Sequence, residues 1–208
     1  MDCAKKGITI MKDPKMGKID AVSDSEQKYI HFYNTDYDSE ITLVQCGHHY
    51  TIPGYGYGPM IRDHYLIHFV IQGKGRFYLH NNVYNLTAGD CFLIYPHQIA
   101  YYESDVNEPW EYCWIGIAGY MVEKILRMIG FSYSKPVTHF NSKTLVGKIL
   151  QMNETAASCC GNVLVKPLLI DGILREVLYD IVKDSKGRGS ISQASTECDT
   201  SQIFGRGK

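Results

Sequence analysis

The sequence predicts a mainly β domain, an antiparallel sandwich or small barrel, followed by two to three α-helices. Six short runs rich in β-branched and aromatic residues lie between Arg62 and Gly119, and no helical pattern separates them. Turn-forming residues close each run, and Asn81-Asn82 suits a two-residue hairpin loop because Asn tolerates positive φ. After Gly119 the apolar spacing changes to that of a helix. The six predicted strands are 65–71, 76–80, 83–86, 91–95, 99–104 and 112–118.

The segment before these strands is predicted to hold an arm and the start of the barrel. Residues 1–27 are polar and lack a sustained apolar period, so we expect an N-terminal arm that is mobile or orders only against another surface. The barrel is predicted over residues 28–120, with further strands at 41–46 and 50–52. The glycine- and proline-rich stretch 53–59 is predicted to be an irregular loop whose tyrosines lie across one mouth of the barrel.

Three amphipathic segments follow, and residues 121–185 are predicted to form a helical dimerisation region. The first helix is expected to end at Gly130, the second to begin after an Asn141 N-cap, and the third to run from Pro167 to Lys183. The apolar stripe of the third helix must be covered, either by the barrel or by a second subunit. We expect a homodimer interface there, because a small barrel offers limited area for three helices. The predicted interface residues are Ile170, Leu174, Val177, Leu178 and Ile181.

Composition excludes several classes of function. The 21 Lys and Arg residues nearly balance the 22 Asp and Glu residues, which leaves no global field to attract nucleic acid or an anionic membrane. The seven Cys include no CxxC pair, which favours a reduced, cytoplasmic protein. No apolar run approaches the length of about 20 residues that a membrane-spanning helix needs. Residues 186–208, rich in Ser, Thr, Gln and Gly, are predicted to be a linker or disordered tail.

The sequence contains no recognisable catalytic or metal-binding constellation. His64 and His68 share one face of a predicted strand, but no carboxylate follows them there, and a mononuclear metal site usually needs three or more ligands. There is no GxSxG motif, and Gly73-Lys74-Gly75 lacks the third glycine of a dinucleotide-binding loop. We therefore predict no catalytic residue, no metal and no cofactor.

Aromatic rings that carry hydrogen-bonding groups are the remaining feature. Tyr occurs 16 times, and strand alternation places Tyr112, Trp114 and Gly116 on one face and Tyr102 beside Ala100 on another. Small residues next to large rings leave space on such a face. Rings and donors together can hold a polyhydroxylated ligand by stacking on its C–H groups and bonding its hydroxyls. The alternative is an ordinary aromatic core whose phenols are satisfied within the protein.

Four motifs, in this order, resemble the N-terminal sensor domain of AraC-family transcription regulators. The resemblance covers residues 40–120 and implies a cupin-type double-stranded β-helix (a jelly-roll barrel) followed by dimerisation helices. It also implies a sugar or other small polar effector, and DNA binding only through a C-terminal helix-turn-helix domain that this chain lacks. The motifs are Gly58-Pro59-x-x-Arg62-Asp63, Tyr65-Leu66-Ile67-His68-Phe69-Val70-Ile71-x-Gly73-Lys74-Gly75, Leu86-x-Ala88-Gly89-Asp90-x-Phe92-Leu93-Ile94-x-Pro96 and Pro109-Trp110-Glu111-Tyr112-x-Trp114-Ile115-Gly116.

The resemblance also implies which residues bind the effector. Tyr102 and Trp114 match a Tyr and a Trp in the pocket of the family's arabinose sensor, whereas Tyr112 replaces its His, so the effector need not be arabinose. Arg62 is similar to an Arg ahead of the first motif. Strand parity adds the two histidines, so the predicted ligand-binding residues are Arg62, His64, His68, Tyr102, Tyr112 and Trp114. In that sensor the N-terminal arm closes over the ligand, a role open to residues 1–27 here.

A metal-dependent cupin enzyme, an isomerase or a dioxygenase, is the alternative function. In metal-binding cupins, two His and a Glu precede the glycine of the first motif, and a further His follows the second motif. Here these positions hold Met60, Arg62, Leu66 and Ala100, none of which is a metal ligand. The resemblance therefore favours a sensor over an enzyme.

Overall fold

The computed structural model describes residues 27–32, 38–140, 143–157 and 165–197, with side chains described for all of these except 27–32, 157, 165–168 and 186–197. The predicted arm up to residue 26, the N-cap at Asn141 and residues 198–208 of the predicted tail lie outside the described residues. The described elements in chain order are β1 (Gln27–Phe32), β2 (Thr42–Tyr50), β3 (Gly56–Met60), β4 (Tyr65–Gln72), β5 (Lys74–Leu79), β6 (Asn82–Thr87), β7 (Asp90–Ile94), β8 (Ala100–Ser104), β9 (Glu111–Ala118), α1 (Val122–Ile129), β10 (Val137–His139), α2 (Lys143–Ala157) and α3 (Val165–Glu197).

Within the described part of the chain, the strands form two antiparallel sheets. The larger sheet has the order β1-β2-β9-β4-β7-β10, and the smaller has the order β3-β8-β5-β6. The chain passes repeatedly from one sheet to the other, since β4 pairs with β7 and β9 whereas β5 pairs with β6 and β8. This is the jelly-roll arrangement of a cupin-type barrel, and it confirms the predicted mainly β fold with C-terminal helices.

Two apolar cores lie on opposite faces of the larger sheet. Alternation along β9 sends Tyr112 and Trp114 into the space between the sheets, and Cys113 and Ile115 towards the helices. Every residue of β9 is buried, because both of its faces are covered. The inner core is thus the interior of the barrel, and the outer core joins the barrel to the helical layer.

Helix α1 forms where the sequence predicts it. Val122, Leu126 and Ile129 lie on its buried face, as the spacing of three and four residues requires. The helix ends at Gly130, whose left-handed φ of 99° lets its N–H donate to the carbonyls of Arg127 and Leu126.

Two strand predictions need correction, and strands β1 and β10 were not predicted. Strand β2 is one continuous strand rather than the two runs 41–46 and 50–52, because β1 and β9 pair with it on both sides. Strand β3 replaces part of the predicted loop 53–59, and Pro59 is tolerated because β3 is an edge strand that needs no second partner. The short strand β10 was not predicted, since three residues carry too little periodicity to be recognised.

The β5–β6 hairpin turns one residue earlier than predicted. Leu79 pairs with Asn82, so the two loop residues are His80 and Asn81 rather than Asn81-Asn82. The positive φ falls on His80, at 53°. His is one of the few residue types besides glycine that are enriched in this region of backbone space.

Helix α3 is longer than predicted and its apolar stripe is used differently. Its backbone stays helical to Glu197, so residues 186–197 are not the irregular linker expected from composition; extending a packed helix is far easier than starting one. The predicted interface residues are core residues of this chain, none more than 4% exposed: Ile170, Leu174, Val177, Leu178 and Ile181. The outer face of the larger sheet, with α1 and α2, covers the stripe, and side chains buried in this way cannot contact a second subunit. No helix in the described ranges is long and apolar enough to cross a membrane.

Candidate ligand-binding site

A pocket lies inside the barrel, beside the inner core. Residues from both sheets and from the β3–β4 connection line it: Gln45, Tyr57, Arg62, Leu66, His68, Tyr102, Tyr112 and Trp114. The empty space of the pocket and its mouth is about 250 Å³, whereas the space in which the centre of a water molecule fits is about 10 Å³. The enclosed part therefore has room for roughly one water molecule.

Strand pairing brings three of the predicted site residues together at the centre of the larger sheet. His68 on β4 is the direct partner of Trp114 on β9, and Val70 is the partner of Tyr112. The rings of His68 and Trp114 lie 6.1 Å apart, and those of His68 and Tyr112 lie 5.4 Å apart. Since all of these side chains point away from the helices, they form one wall of the pocket.

Tyr102 on β8 forms the opposite wall. Its ring lies 4.9 Å from His68, 5.4 Å from Tyr57 and 5.9 Å from Tyr112. Burial raises the pKa of both the Tyr102 and the Tyr112 phenols well above 10, because an ionised phenol loses its hydration there. Both phenols are therefore neutral at physiological pH and can donate as well as accept hydrogen bonds.

Trp114 occupies a place that only glycine leaves open. Its direct partner on β2 is Gly47, and a Cβ built on Gly47 would lie 2.0 Å from Cζ2 of the indole. The indole thus packs flat on the backbone of β2. The indole N–H donates to Oε1 of Gln45 at 3.3 Å, which fixes the ring within its plane.

Arg62 and Tyr57 close the pocket towards solvent. Nη2 of Arg62 donates to the Tyr57 hydroxyl at 2.9 Å, and both residues are half-buried. Nε of Arg62 is buried and has no hydrogen-bond acceptor among the described residues. A buried guanidinium N–H without an acceptor is costly, so an arriving hydroxyl or carboxylate oxygen would be stabilised at this position.

His64 does not line the pocket, unlike the other five predicted residues. It is 4% exposed and lies behind Gln45, with its Nε2 at 2.7 Å from Nε2 of Gln45 and its Nδ1 at 2.7 Å from Oδ1 of Asp63. Strand parity missed this because His64 precedes the first residue of β4, where the alternation of strand faces no longer applies.

The prediction missed two lining residues and placed a third, Tyr57, only at the mouth of the barrel. Gln45 and Leu66 sit on inward positions of β2 and β4. Alternation along the predicted strand at 41–46 would place Gln45 on the face of Leu43, which packs in the outer core, and the irregular pairing between these two residues reverses that parity. Tyr57 was expected across the mouth of the barrel and does lie there.

The described residues offer no metal centre. Among them, no group of three or more His, Cys, Asp or Glu side chains lies close enough together to hold a metal ion. The pocket itself contributes one imidazole and no carboxylate. Its chemistry is therefore that of aromatic faces, phenol hydroxyls, an amide and a guanidinium.

Comparison with known proteins places this geometry in context. A family model described as the AraC-like ligand binding domain matches residues 42–176. The Msm operon regulatory protein of Streptococcus mutans is 43% identical over 74 residues, 36% of this chain and 27% of that protein. The lactose operon transcription activator of Staphylococcus xylosus is 32% identical over 146 residues, 69% of this chain and 50% of that protein. The raffinose operon transcriptional regulatory protein of Pediococcus pentosaceus is 26% identical over 156 residues, 72% of this chain and 54% of that protein.

This chain spans about half, or less, of the length of these curated relatives. Among solved structures, a cupin superfamily protein from Desulfitobacterium hafniense is 12% identical with a TM-score of 0.37, covering 48% of this chain and 84% of that chain. A cupin 2 conserved barrel domain protein from Salinispora arenicola is 12% identical with a TM-score of 0.38, covering 53% of this chain and 93% of that chain.

Proposed function

Because this chain belongs to the AraC-like ligand binding domain family, we propose that it is the effector-binding and dimerisation domain of a cytoplasmic transcription regulator, and that its effector is a sugar. In this proposal the full-length regulator contacts DNA through a separate domain. The names of two relatives, which refer to the lactose and raffinose operons, support a carbohydrate effector. We propose no catalytic role for the pocket.

The observation that carries the proposal is the chemistry of the pocket wall. His68, Tyr102, Tyr112 and Trp114 present ring faces and hydrogen-bonding groups to the same small space, and Arg62 adds a buried N–H without an acceptor. A pyranose has the complementary surface, with C–H groups on its faces and hydroxyls around its rim. Rings and donors in this mixture bind such a molecule better than an apolar one.

The size of the pocket limits how such a ligand enters. Its enclosed part has room for roughly one water molecule in this structure, so a sugar ring enters only after the pocket opens. Binding requires the Arg62–Tyr57 pair to part, and the irregular pairing of β3 between Tyr57 and Met60 supports movement at this edge.

A route from the pocket to the helices follows from the two faces of the larger sheet. On β9, Tyr112 and Trp114 face the pocket, whereas Cys113 and Ile115 between and beside them pack in the outer core with α2 and α3. A ligand that moves the rings also shifts the helical layer. It regulates only if it binds one arrangement more tightly than the other, since equal affinity changes no population.

The test is a binding panel with a matched substitution. Lactose, raffinose, D-galactose, D-glucose and L-arabinose are titrated at millimolar concentration by calorimetry and thermal shift. We expect at least one to bind and to raise the melting temperature, and Tyr112→Phe to weaken that sugar about tenfold if the hydroxyl bonds to it. Tyr120→Phe, the same change at a residue that is 67% exposed, is the control. If no sugar on the panel binds, the carbohydrate part of the proposal is refuted.

Dimerisation is the other part of the proposal, and it needs a surface different from the buried stripe of α3. Leu169 and Tyr179 are 53% and 65% exposed on the outward side of that helix, where a second copy of the chain can pack against them. Sedimentation is expected to give a dimer for the wild type and a monomer for a Leu169→Asp, Tyr179→Asp variant. A monomeric wild type would contradict dimerisation, and a dimeric variant would place the interface elsewhere.

A further inference from the structure

Four side chains form a continuous path of hydrogen bonds from the surface to the pocket. Oδ1 of Asp63 lies 2.7 Å from Nδ1 of His64, Nε2 of His64 lies 2.7 Å from Nε2 of Gln45, and the Trp114 indole N–H donates to Oε1 of Gln45 at 3.3 Å. The Asp63 side chain is 69% exposed, whereas His64 and Gln45 are only 4% and 2% exposed. The path therefore begins in solvent and ends at a residue that lines the pocket.

The chemistry of Trp114 permits only one direction for these bonds. An indole N–H can only donate, so the carbonyl of the Gln45 amide must face Trp114 and its NH₂ must face His64. Nε2 of His64 must then accept, which makes it the unprotonated nitrogen of a neutral imidazole. Its other nitrogen, Nδ1, carries the hydrogen and donates to the Asp63 carboxylate. Each group thus sets the orientation of the next.

A glycine makes this contact possible. Gly116 is the direct partner of Gln45 on the neighbouring strand, and a Cβ built there would lie 2.5 Å from Cγ of Gln45 and 2.9 Å from Cδ2 of His64. The two side chains therefore meet over bare backbone. Strand β9 therefore has a glycine at the point where Gln45 and His64 meet, and any larger residue at position 116 would separate these two side chains.

We propose that Gln45 is a specificity-determining residue of the pocket, and that Asp63 and His64 are positioning residues that hold its amide in one orientation. This inference rests on the proposed function, since it concerns which sugars the same pocket accepts. The amide has two N–H groups and two lone pairs, and His64 and Trp114 engage one of each. The second N–H and the second lone pair provide a donor and an acceptor in fixed positions at the pocket wall.

A donor and an acceptor that cannot exchange places distinguish one hydroxyl orientation from another. An amide free to rotate by 180° would present either group to a ligand and would discriminate poorly between epimers. With its carbonyl held by Trp114 and its NH₂ held by His64, Gln45 rejects a ligand whose hydroxyl meets the wrong group, because a buried polar group then lacks its bond. The exposed Asp63 thus acts on selectivity without touching the ligand.

The first test needs no ligand. Nitrogen-15 NMR of the histidine ring at neutral pH reports which nitrogen of His64 carries the hydrogen, with His64→Gln used to assign the signal. We expect the tautomer with hydrogen on Nδ1 only. A hydrogen on Nε2, or a doubly protonated ring, would overturn the direction of the path and with it the positioning role.

The second test measures selectivity. The dissociation constants of D-galactose and D-glucose, which differ only in the orientation of one hydroxyl, are measured by calorimetry, and their ratio is the readout. Gln45→Glu replaces the amide donor by a second acceptor, and we expect it to change the ratio about tenfold or more. Gln151→Glu introduces the same change at an exposed position of α2 and is expected to leave the ratio unchanged.

Asp63 separates positioning from a general loss of structure. Because the Asp63 side chain is mostly exposed, Asp63→Ala is expected to fold, yet to shift the ratio of dissociation constants in the same direction as Gln45→Glu. In Asp63→Asn the side-chain carbonyl still accepts from Nδ1–H of His64, so this variant is expected to return the ratio most of the way to the wild-type value. An unchanged ratio in Gln45→Glu overturns the specificity role. An unchanged ratio in Asp63→Ala overturns the positioning role, also where Gln45→Glu fails to fold. If the wild type binds no sugar of the panel, the proposed function and the specificity role fall together, while the tautomer still decides whether the path is real.

Discussion

The close packing of the Trp114 indole against Gly47 predicts how a substitution inside the barrel changes stability. Gly47→Ala would add a Cβ at 2.0 Å from the indole, where an optimal carbon–carbon contact is about 3.5–4.0 Å. The indole or strand β2 must therefore move by more than about 1 Å. Overpacking of this kind costs about 1–3 kcal/mol, and the hydrogen bond from Trp114 to Gln45 is lost as the ring shifts.

The assay is urea denaturation combined with tryptophan fluorescence of the native state. Gly47→Ala is expected to lower the unfolding midpoint, to shift the emission of Trp114 and to reduce affinity for any sugar that binds the wild type. At about 2–4 °C per kcal/mol for a chain of this size, the thermal midpoint should fall by several degrees.

Gly147→Ala and Gly172→Ala are matched controls with the opposite expected sign. A Cβ at either helical glycine meets no atom within 4 Å, so the substitution should stabilise the protein by about 0.5–1 kcal/mol through helix propensity alone. A Gly47→Ala variant that is as stable as the wild type, with unchanged fluorescence, would refute the claim that the indole depends on this glycine.

Three further outcomes follow from burial. Leu174→Ala is expected to lose about 2–5 kcal/mol because Leu174 is fully buried in the outer core, whereas Tyr120→Ala, 67% exposed, should cost far less; equal losses in chemical denaturation would contradict the core assignment. The free energy of unfolding is expected to fall as pH rises above 10, because the pKa of the buried Tyr102 and Tyr112 phenols is raised in the folded state and the phenols of the unfolded chain ionise first. Tyr102→Phe should make this loss of stability smaller, and a pH profile that the substitution leaves unchanged would contradict the prediction. Burial raises the pKa of the Cys46 thiol to about 12, so iodoacetamide at pH 8 should leave Cys46 unmodified until the chain is unfolded, as mass spectrometry of the native protein would show.

The signals that predicted the fold are local. Alternation along β4 and β9 places His68, Tyr112 and Trp114 on one face, and spacing of three and four residues identifies α1 and its end at Gly130. Such patterns can be recognised from the sequence because each depends on a few neighbouring residues within one strand or helix.

The apolar stripe of α3 shows where local patterns stop. The helical spacing of its apolar residues was clear, and an apolar face of this width has to be buried. The sequence did not determine whether a second subunit or the rest of this chain buries it. The area on the outer face of the larger sheet decided the matter, and that area depends on six strands coming together. Residues such as Leu174 are therefore core residues rather than interface residues.

What the sequence by itself determined is which side chains share a face, and from this came the strands and the helices, whereas the family resemblance supplied the cupin-type barrel and most of the predicted pocket residues. What only the tertiary structure decided is which faces meet. Gln45, His64 and Trp114 are far apart along the chain, and their contact depends on the pairing of β2 with β9 and on the bare backbone of Gly47 and Gly116. The physical reason is that the alternation of residues along a strand specifies its two faces but does not specify which other strand pairs with it. The register that brings an amide, an imidazole and an indole together is fixed only when the sheets close.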